Sequence, residues 1–309
     1  MNTQKIILAG GTGSLGNFLA KYFSEKGFEI VVLSRSENPS KGKIHFRKWD
    51  GKTLGEWAKE IDGAMCVINL SGKSVNCRYT EENKKEIIDS RVEPTAIIGK
   101  AIQNCANPPK VWINASSAAI YGNTETLTDE NSKFGEGFSS EVCKKWETAF
   151  SMSETQRTRK VALRIGLVLS EEGGVLEPIE SLAKFYLAGT IGSGNQFMSW
   201  IHEDDFGKLV ELCITDESFS GVINACSPNP VTNKEFMKAL KKGMGKSFGF
   251  PNPAFLVRIG AYFMRTEADL VLYGRSVVSK TLGEKNFSFQ FPEINSAMKD
   301  IMHKKNAGH

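Results

Sequence analysis

The 309-residue chain has no segment approaching the roughly 18 consecutive apolar residues that a membrane-spanning helix needs. Its six cysteines, Cys66, Cys77, Cys105, Cys143, Cys213 and Cys226, form no Cys-x-x-Cys pair. That scatter argues against a metal site and a disulfide framework, and fits a reducing compartment. The start, Met1-Asn2-Thr3-Gln4-Lys5, lacks the apolar stretch and small-residue cleavage site of a signal peptide, so a soluble cytoplasmic protein is expected. Charge of one sign is also scarce. With 39 Lys and Arg against 35 Asp and Glu, the formal net charge is only +4, and no long run of one sign concentrates it. Composition therefore gives no case for nucleic-acid or membrane-surface binding. What remains, 40% hydrophobic and 24% charged residues, is ordinary globular composition, enough for one large domain or a domain with an attached lobe.

The first two-thirds alternates short apolar runs with helix-period segments, the pattern of a parallel sheet with crossover helices. Strands are expected at Lys5–Ala9, Glu29–Leu33, Ile44–Lys48, Ala64–Leu70, Val111–Ala115 and Val161–Leu169. Between the first two, Leu15, Phe18, Leu19, Tyr22 and Phe23 recur at helical spacing and Gly27 supplies a stop. A long helical stretch begins near Thr80 and meets Pro94, which is expected to break or kink it. Another helix is expected from about Ser139 to Ser153. After residue 170 the texture changes to glycine-rich turns, helices and a short strand near Gln196–Ile201. The expected division is residues 1–170 for the sheet domain and 171–309 for a smaller lobe, with later segments free to rejoin the sheet and a cleft between the two.

The sharpest signal is Ile6-Ile7-Leu8-Ala9-Gly10-Gly11-Thr12-Gly13-Ser14-Leu15-Gly16, a strand feeding a glycine-rich turn that opens an amphipathic helix. Glycines at 10, 13 and 16 allow a tight turn, close backbone approach to a pyrophosphate and close packing of helix on strand. The helix N-terminus offers unpaired N–H groups and a partial positive charge to phosphates. This is the opening of a Rossmann-type, doubly wound α/β domain, and Gly10, Thr12, Gly13, Ser14, Leu15 and Gly16 are its expected cofactor contacts. The choice of cofactor rests on the end of the second strand, where an acidic residue would bind the ribose hydroxyls of NAD. Here the chain reads Leu33-Ser34-Arg35-Ser36. Arg35 can fork onto a 2′-phosphate and Ser34 can donate to it, so NADP is expected; Glu37 lies close by and keeps NAD in play.

On these residues the chain resembles the atypical, nucleotide-sugar-epimerase-like branch of the short-chain dehydrogenase/reductase superfamily. Asn69-Leu70-Ser71-Gly72 looks like that branch's turn after the fourth strand, which implies that Leu70, Ser71 and Gly72 pack beside the cofactor. Ser116-Ser117-Ala118-Ala119-Ile120-Tyr121-Gly122 is similar to the segment after the fifth strand, and implies a cofactor contact at Ser116. Leu163-Arg164-Ile165-Gly166 resembles the sixth strand. Arg78-Tyr79-Thr80 leading to Ser90-Arg91, the run Gly192 to Asp204, and Gly283 to Phe289 resemble one subfamily with a small C-terminal domain of unassigned role.

That superfamily's usual chemistry uses a Ser or Thr and a Tyr-x-x-x-Lys. The tyrosine moves a proton at a substrate oxygen, while the lysine lowers its pKa and holds the nicotinamide ribose. Ser117 fits the serine. On the next helix, however, taking Glu147 as the acidic position beyond the lysine puts Ser139 where the tyrosine belongs and Cys143 where the lysine belongs. The one true Tyr-x-x-x-Lys, Tyr22 to Lys26, lies on the wrong helix, and Lys144 is about 100° round from the expected face. Tyr121 and His202 are the substitute proton-transfer candidates beside Ser117, each with a structural reading as core aromatic and as helix-cap neighbour. Arg78 and Arg91 can hold an anionic substrate or pair with Glu81, Glu82 or Glu86. The expected function is an NADP(H)-dependent oxidoreductase or epimerase acting on a polar small molecule, nucleotide-linked sugars among them, in the interlobe cleft. A homodimer is compatible, and no nucleic-acid or membrane partner is expected. The alternative is a non-catalytic NADP(H)-binding redox sensor.

Overall fold

In the computed structural model, residues 4–307 are described, apart from Glu37 and Phe185. One seven-stranded sheet dominates, and every neighbouring pair in it is parallel. Five strands are labelled here: β1 (Lys5–Ala9), β2 (Glu29–Ser34), β3 (Ile44–Lys48), β4 (Cys66–Asn69) and β5 (Val111–Ser117). The other two are Arg159–Ile165 and Gly221–Ala225. Across the sheet the order is Gly221–Ala225, Arg159–Ile165, β5, β4, β1, β2, β3. The order reverses beside β1, which opens a crevice at the carboxyl ends of β1 and β4, the place where doubly wound sheets bind nucleotides.

Near-continuous apolar runs made these strands legible because helices cover both faces. Helix α1 (Ser14–Glu25) buries Leu19, Ala20 and Phe23 against one face, where they join Ile6, Leu8, Ile30, Val32 and Ile113 in a single core. On the other face Ile7, Val31, Leu33 and Val67 meet Ile98, Ile102 and Phe150 of α2 (Glu81–Gln103) and α3 (Phe138–Ser151). Pro94 lies inside α2 and does not end it, contrary to the sequence expectation. Pro94 is buried, and in the first core-facing turn after it the Thr95 hydroxyl donates to the Arg91 carbonyl at 2.7 Å. Tertiary packing therefore carries the helix past a residue that its local propensity disfavours.

Two further features matter for the site. The expected strand Val161–Leu169 is two pieces: at Gly166 the chain leaves the sheet, and Leu167–Leu169 pairs instead with Trp200–His202. A side chain at 166 would sit 2.7 Å from the Ser199 carbonyl oxygen, so only glycine admits that crossing. The second is Gly221–Ala225, a later segment that rejoins the sheet as its edge strand, while Phe206, Leu209 and Val210 of the preceding helix share the main core. The lobe's own core gathers Leu176, Trp200, Phe236, Leu240, Met298 and Ile301. No helix among the described residues is long and apolar enough to cross a membrane.

Candidate functional site

The three loop glycines divide their work sterically. Gly10 turns with φ +70, and a Cβ there would lie 2.8 Å from the Ser71 backbone. A Cβ on Gly16 would lie 2.4 Å from the Gly11 backbone, so that glycine sets how closely α1 packs on its own loop. Gly13 differs: it is the N-cap of α1 at φ −81, ψ 174, and a Cβ there meets nothing within 4 Å. No side chain caps the helix, so its first N–H groups face that open space, as a pyrophosphate requires. Thr12 is exposed, and Leu15 packs against the main core. The Ser14 hydroxyl donates to the Glu172 carbonyl at 2.9 Å, which draws the start of the lobe over the loop.

At the end of β2, Arg35 is exposed. Ser34 is buried, and its oxygen accepts from the Ser36 backbone N–H at 3.2 Å and from Asn38 Nδ2 at 3.3 Å. Those bonds leave its hydroxyl hydrogen uncommitted. Glu37 lies outside the described residues.

Beyond β4 the chain lies beside the loop. Leu70 N–H donates to the Ala9 carbonyl at 2.9 Å, and the buried Ser71 hydroxyl has no partner, an orphaned polar atom next to Gly10. Beneath it Asn69 donates to Asn114 Oδ1 at 2.7 Å and to the Thr95 hydroxyl at 3.0 Å, while its own oxygen holds the Ser71 N–H. Trp146 Nε1 also donates to the Thr95 hydroxyl. This satisfied network locks the turn to α2 and α3. A Cβ on Gly72 would lie 2.9 Å from the Arg91 guanidinium carbon, so glycine there lets Arg91 pack under the turn.

Arg91 pairs with no glutamate. Its Nη1 donates to the carbonyls of Lys73 and Ile87, and its guanidinium lies 5.2 Å from the Trp146 ring centre. Arg78 donates to the Tyr262 carbonyl at 3.0 Å and stacks on that ring, tying this segment to the lobe.

Helix α3 forms where the sequence placed a helix. Ser139 is half-buried and Cys143 is buried. Burial, then the Glu147 carboxylate, push the Cys143 thiol up to about 11, although Arg91 and Arg275 pull the other way. A neutral thiol supplies no positive charge, but those two guanidiniums act on it electrostatically. Arg275, overlooked in the sequence, comes from a strand (Arg275–Val277) more than a hundred residues away, and its Nε donates to the Gly122 carbonyl at 3.1 Å. Lys144 is held by the Gly135 carbonyl at 2.8 Å and points elsewhere.

Glu147, in the sequence only a position marker, receives a two-pronged bond from Arg164 at 2.9 and 2.8 Å and the Ser116 hydroxyl at 2.6 Å. The Ser116 side chain therefore joins this buried ion pair, where the sequence expected a cofactor contact. Tyr121, proposed as a proton donor, is corrected likewise: it is 3% exposed, donates to Asn224 Oδ1 at 2.9 Å and accepts from Arg164 at 2.8 Å. Its proton is committed and burial raises its pKa. Ser117 remains half-buried. Its hydroxyl donates to the Ile165 carbonyl at a long 3.4 Å and accepts from Ala119 N–H at 3.2 Å, a weak set that a ligand can displace.

His202 is also corrected as a proton-transfer group. It is fully buried under the Phe291 ring, and its Nδ1 accepts from the Asp204 N–H, capping the helix Glu203–Thr215. Burial depresses its pKa to about 4, so the ring is neutral. His202, Asp204 and Asp300 form a cluster of metal-ligand type, but Lys304 lies 2.8 and 3.0 Å from the two carboxylates, so an ammonium already serves as the cation.

With this geometry in view, comparison with known proteins is specific. Residues 6–226 match the model of the NAD dependent epimerase/dehydratase family, and residues 252–301 match a domain of unknown function, DUF1731. The human epimerase family protein SDR39U1 is 31% identical over 304 residues, 97% of this chain and 100% of that protein. The Bacillus subtilis epimerase family protein YfhF is 30% identical over 306 residues, 97% of this chain and 98% of that protein. The crystal structure of human SDR39U1 (isoform 2) with NADPH superposes with a TM-score of 0.87 at 30% identity, over 97% of this chain and 99% of that one. The UDP-N-acetylglucosamine 4-epimerase from Bacillus cereus shares the fold, at a TM-score of 0.77 and 17% identity over 98% of this chain and 97% of that one.

Proposed function

Since the chain belongs to the NAD dependent epimerase/dehydratase family, we propose that it is an oxidoreductase or epimerase that binds NADP(H) in preference to NAD(H) and acts on a polar small molecule beside Ser117. The observation that carries the cofactor reading is the open space at the Gly13 N-cap, with the partnerless Ser71 hydroxyl across the loop and Arg35 exposed at the end of β2. Helix α1 and its loop hold the pyrophosphate, Arg35 holds the 2′-phosphate, and the Asn69–Gly72 turn flanks the nicotinamide half. The NADPH in human SDR39U1 supports the same choice. Bound nicotinamide supplies hydride exchange. The chain's own residues must then position the substrate and move a proton. Ser117 is the hydroxyl available for that, and Arg91 with Arg275 places positive charge beside Cys143, where relatives in the superfamily carry a lysine.

Arg35→Ala is expected to weaken NADPH roughly tenfold to a hundredfold, the loss of about 1.5–3 kcal/mol for a hydrogen bond to a charged group, while NADH binding barely changes. Calorimetry with both cofactors decides this: equal losses overturn the 2′-phosphate assignment. For the chemistry, NADPH oxidation is followed across carbonyl compounds, and sugar products are analysed separately because epimerisation regenerates its cofactor. With a substrate in hand, Ser117→Ala is expected to lower kcat by about 10²-fold or more with NADPH affinity unchanged. Unchanged turnover removes Ser117 from the reaction.

A second reading has its own observation. Ser139 and the neutral Cys143 leave the usual proton relay empty, and the Tyr121 proton is committed. A protein that binds NADPH tightly and turns over none of these substrates is the redox sensor instead.

A further inference from the structure

The helix Ala254–Phe263 in the lobe is inverted with respect to the usual pattern. Phe255, Leu256, Ile259, Tyr262 and Phe263 fall within an arc of roughly 120° at ~100° per residue. That arc faces outward: Phe255 is 60%, Tyr262 65% and Phe263 75% exposed, and of the whole helix only Ala261 is buried. The inward side carries small groups and is firmly seated. Arg78 donates to the Tyr262 carbonyl, Thr266 donates to Asn76, and Glu267 accepts the Tyr79 N–H at 2.7 Å. The apolar face is thus held outward by polar contacts behind it. Phe248 and Phe250, just before the helix, are also more than half exposed and pack edge-to-face at 4.8 Å. An exposed apolar helix face of this kind on a folded protein marks an interaction surface.

Its charge says what it meets. From Phe236 to Thr266 the chain carries six basic residues, Lys238, Lys241, Lys242, Lys246, Arg258 and Arg265, and no aspartate or glutamate. The whole chain is only +4, so with these six removed the rest of the sequence sums to −2. Arg258 and Arg265 are exposed, and among the described residues neither makes an ion pair. A second copy docking this patch on itself about a two-fold axis would face like charge with like charge. We propose that this helix and the preceding Lys238–Phe250 segment dock peripherally on an anionic lipid surface, the aromatic and aliphatic face entering the headgroup boundary and the flanking Lys and Arg side chains meeting lipid phosphates. A convex, protruding helix needs no complementary groove in a fluid bilayer. This docking would be peripheral, without a span.

The test is flotation of the full-length protein with vesicles of phosphatidylcholine and phosphatidylglycerol (3:1) against pure phosphatidylcholine. Binding to the anionic vesicles is expected to exceed binding to the neutral ones at least tenfold, and to fall by a similar factor in Phe255→Ser/Ile259→Ser/Phe263→Ser and in Arg258→Glu/Arg265→Glu. These side chains are exposed, so both variants should keep the parent circular dichroism. As an independent readout, Phe263→Trp should be quenched by brominated phosphatidylglycerol. Failure to float with anionic vesicles overturns the proposal. So does flotation that both multiple variants retain, and so does light scattering that shows a dimer dispersed by the serine variant, which assigns the patch to a second copy.

Discussion

Gly13→Val is expected to abolish NADPH binding, by more than a hundredfold in calorimetry, in a protein that still folds. The loop allows this separation at one position. Gly10 needs its φ of +70, and Gly16 would drive a Cβ to 2.4 Å from backbone, so substitutions there damage the turn itself and report on folding. Gly13 sits at φ −81, ψ 174, extended backbone that valine adopts readily, and its Cβ direction is open to 4 Å. A valine side chain there stands in front of the first N–H groups of α1, where a pyrophosphate must approach to be held by the helix terminus. As the N-cap it makes no side-chain bond, so the helix loses only the preference for glycine over valine at that position, about 1 kcal/mol. Thermal unfolding should therefore stay close to the parent while affinity disappears. Normal affinity in the folded variant would reduce the loop to a plain turn.

The second large effect is on stability. Arg164→Leu should lower the unfolding free energy by about 3–5 kcal/mol, because it strips the partner from a carboxylate that the fold has taken out of water. The Arg164 side chain is 3% exposed and that of Glu147 14%, with two charge-assisted bonds between them. The same guanidinium also donates to Tyr121, so its removal loosens the sixth strand's link to both α3 and the Ala118–Tyr121 turn. Against a typical total of ~5–15 kcal/mol such a loss is large. The contrast is Lys59→Leu, from the exposed Lys59–Glu56 pair with side chains 75% and 87% exposed, which should leave the urea midpoint where it was. If the two variants unfold together, the buried pair is not holding α3 to the sheet.

The first forty residues were readable because their physics is local. A strand covered on both faces, a turn that glycine alone can make and a helix with an apolar stripe each show within a few consecutive residues, and β1, α1 and β2 lie where that pattern put them. Ser139 and Cys143 were equally visible four residues apart, and α3 carries both. Pro94 shows the limit of local propensity: a proline expected to break or kink a helix lies inside one, and Ile98, Ala101 and Ile102 just after it pack on the sheet.

What the sequence determined by itself is therefore the strand–glycine loop–helix unit, the class of cofactor it suits and the run of residues that α3 carries, Ser139 and Cys143 among them. Only the tertiary structure decided the surroundings of α3: Arg91, Arg164 and Arg275 reach it from three separate elements, Tyr121 spends its proton on Asn224, and His202 becomes a helix cap. It also decided that Gly221–Ala225 returns to the sheet and that the Ala254–Phe263 helix turns its aromatic face outward. Burial, hydrogen-bond partners and pKa shifts are set by groups brought together across the sheet from positions far apart in the chain, so no window of consecutive residues contains them.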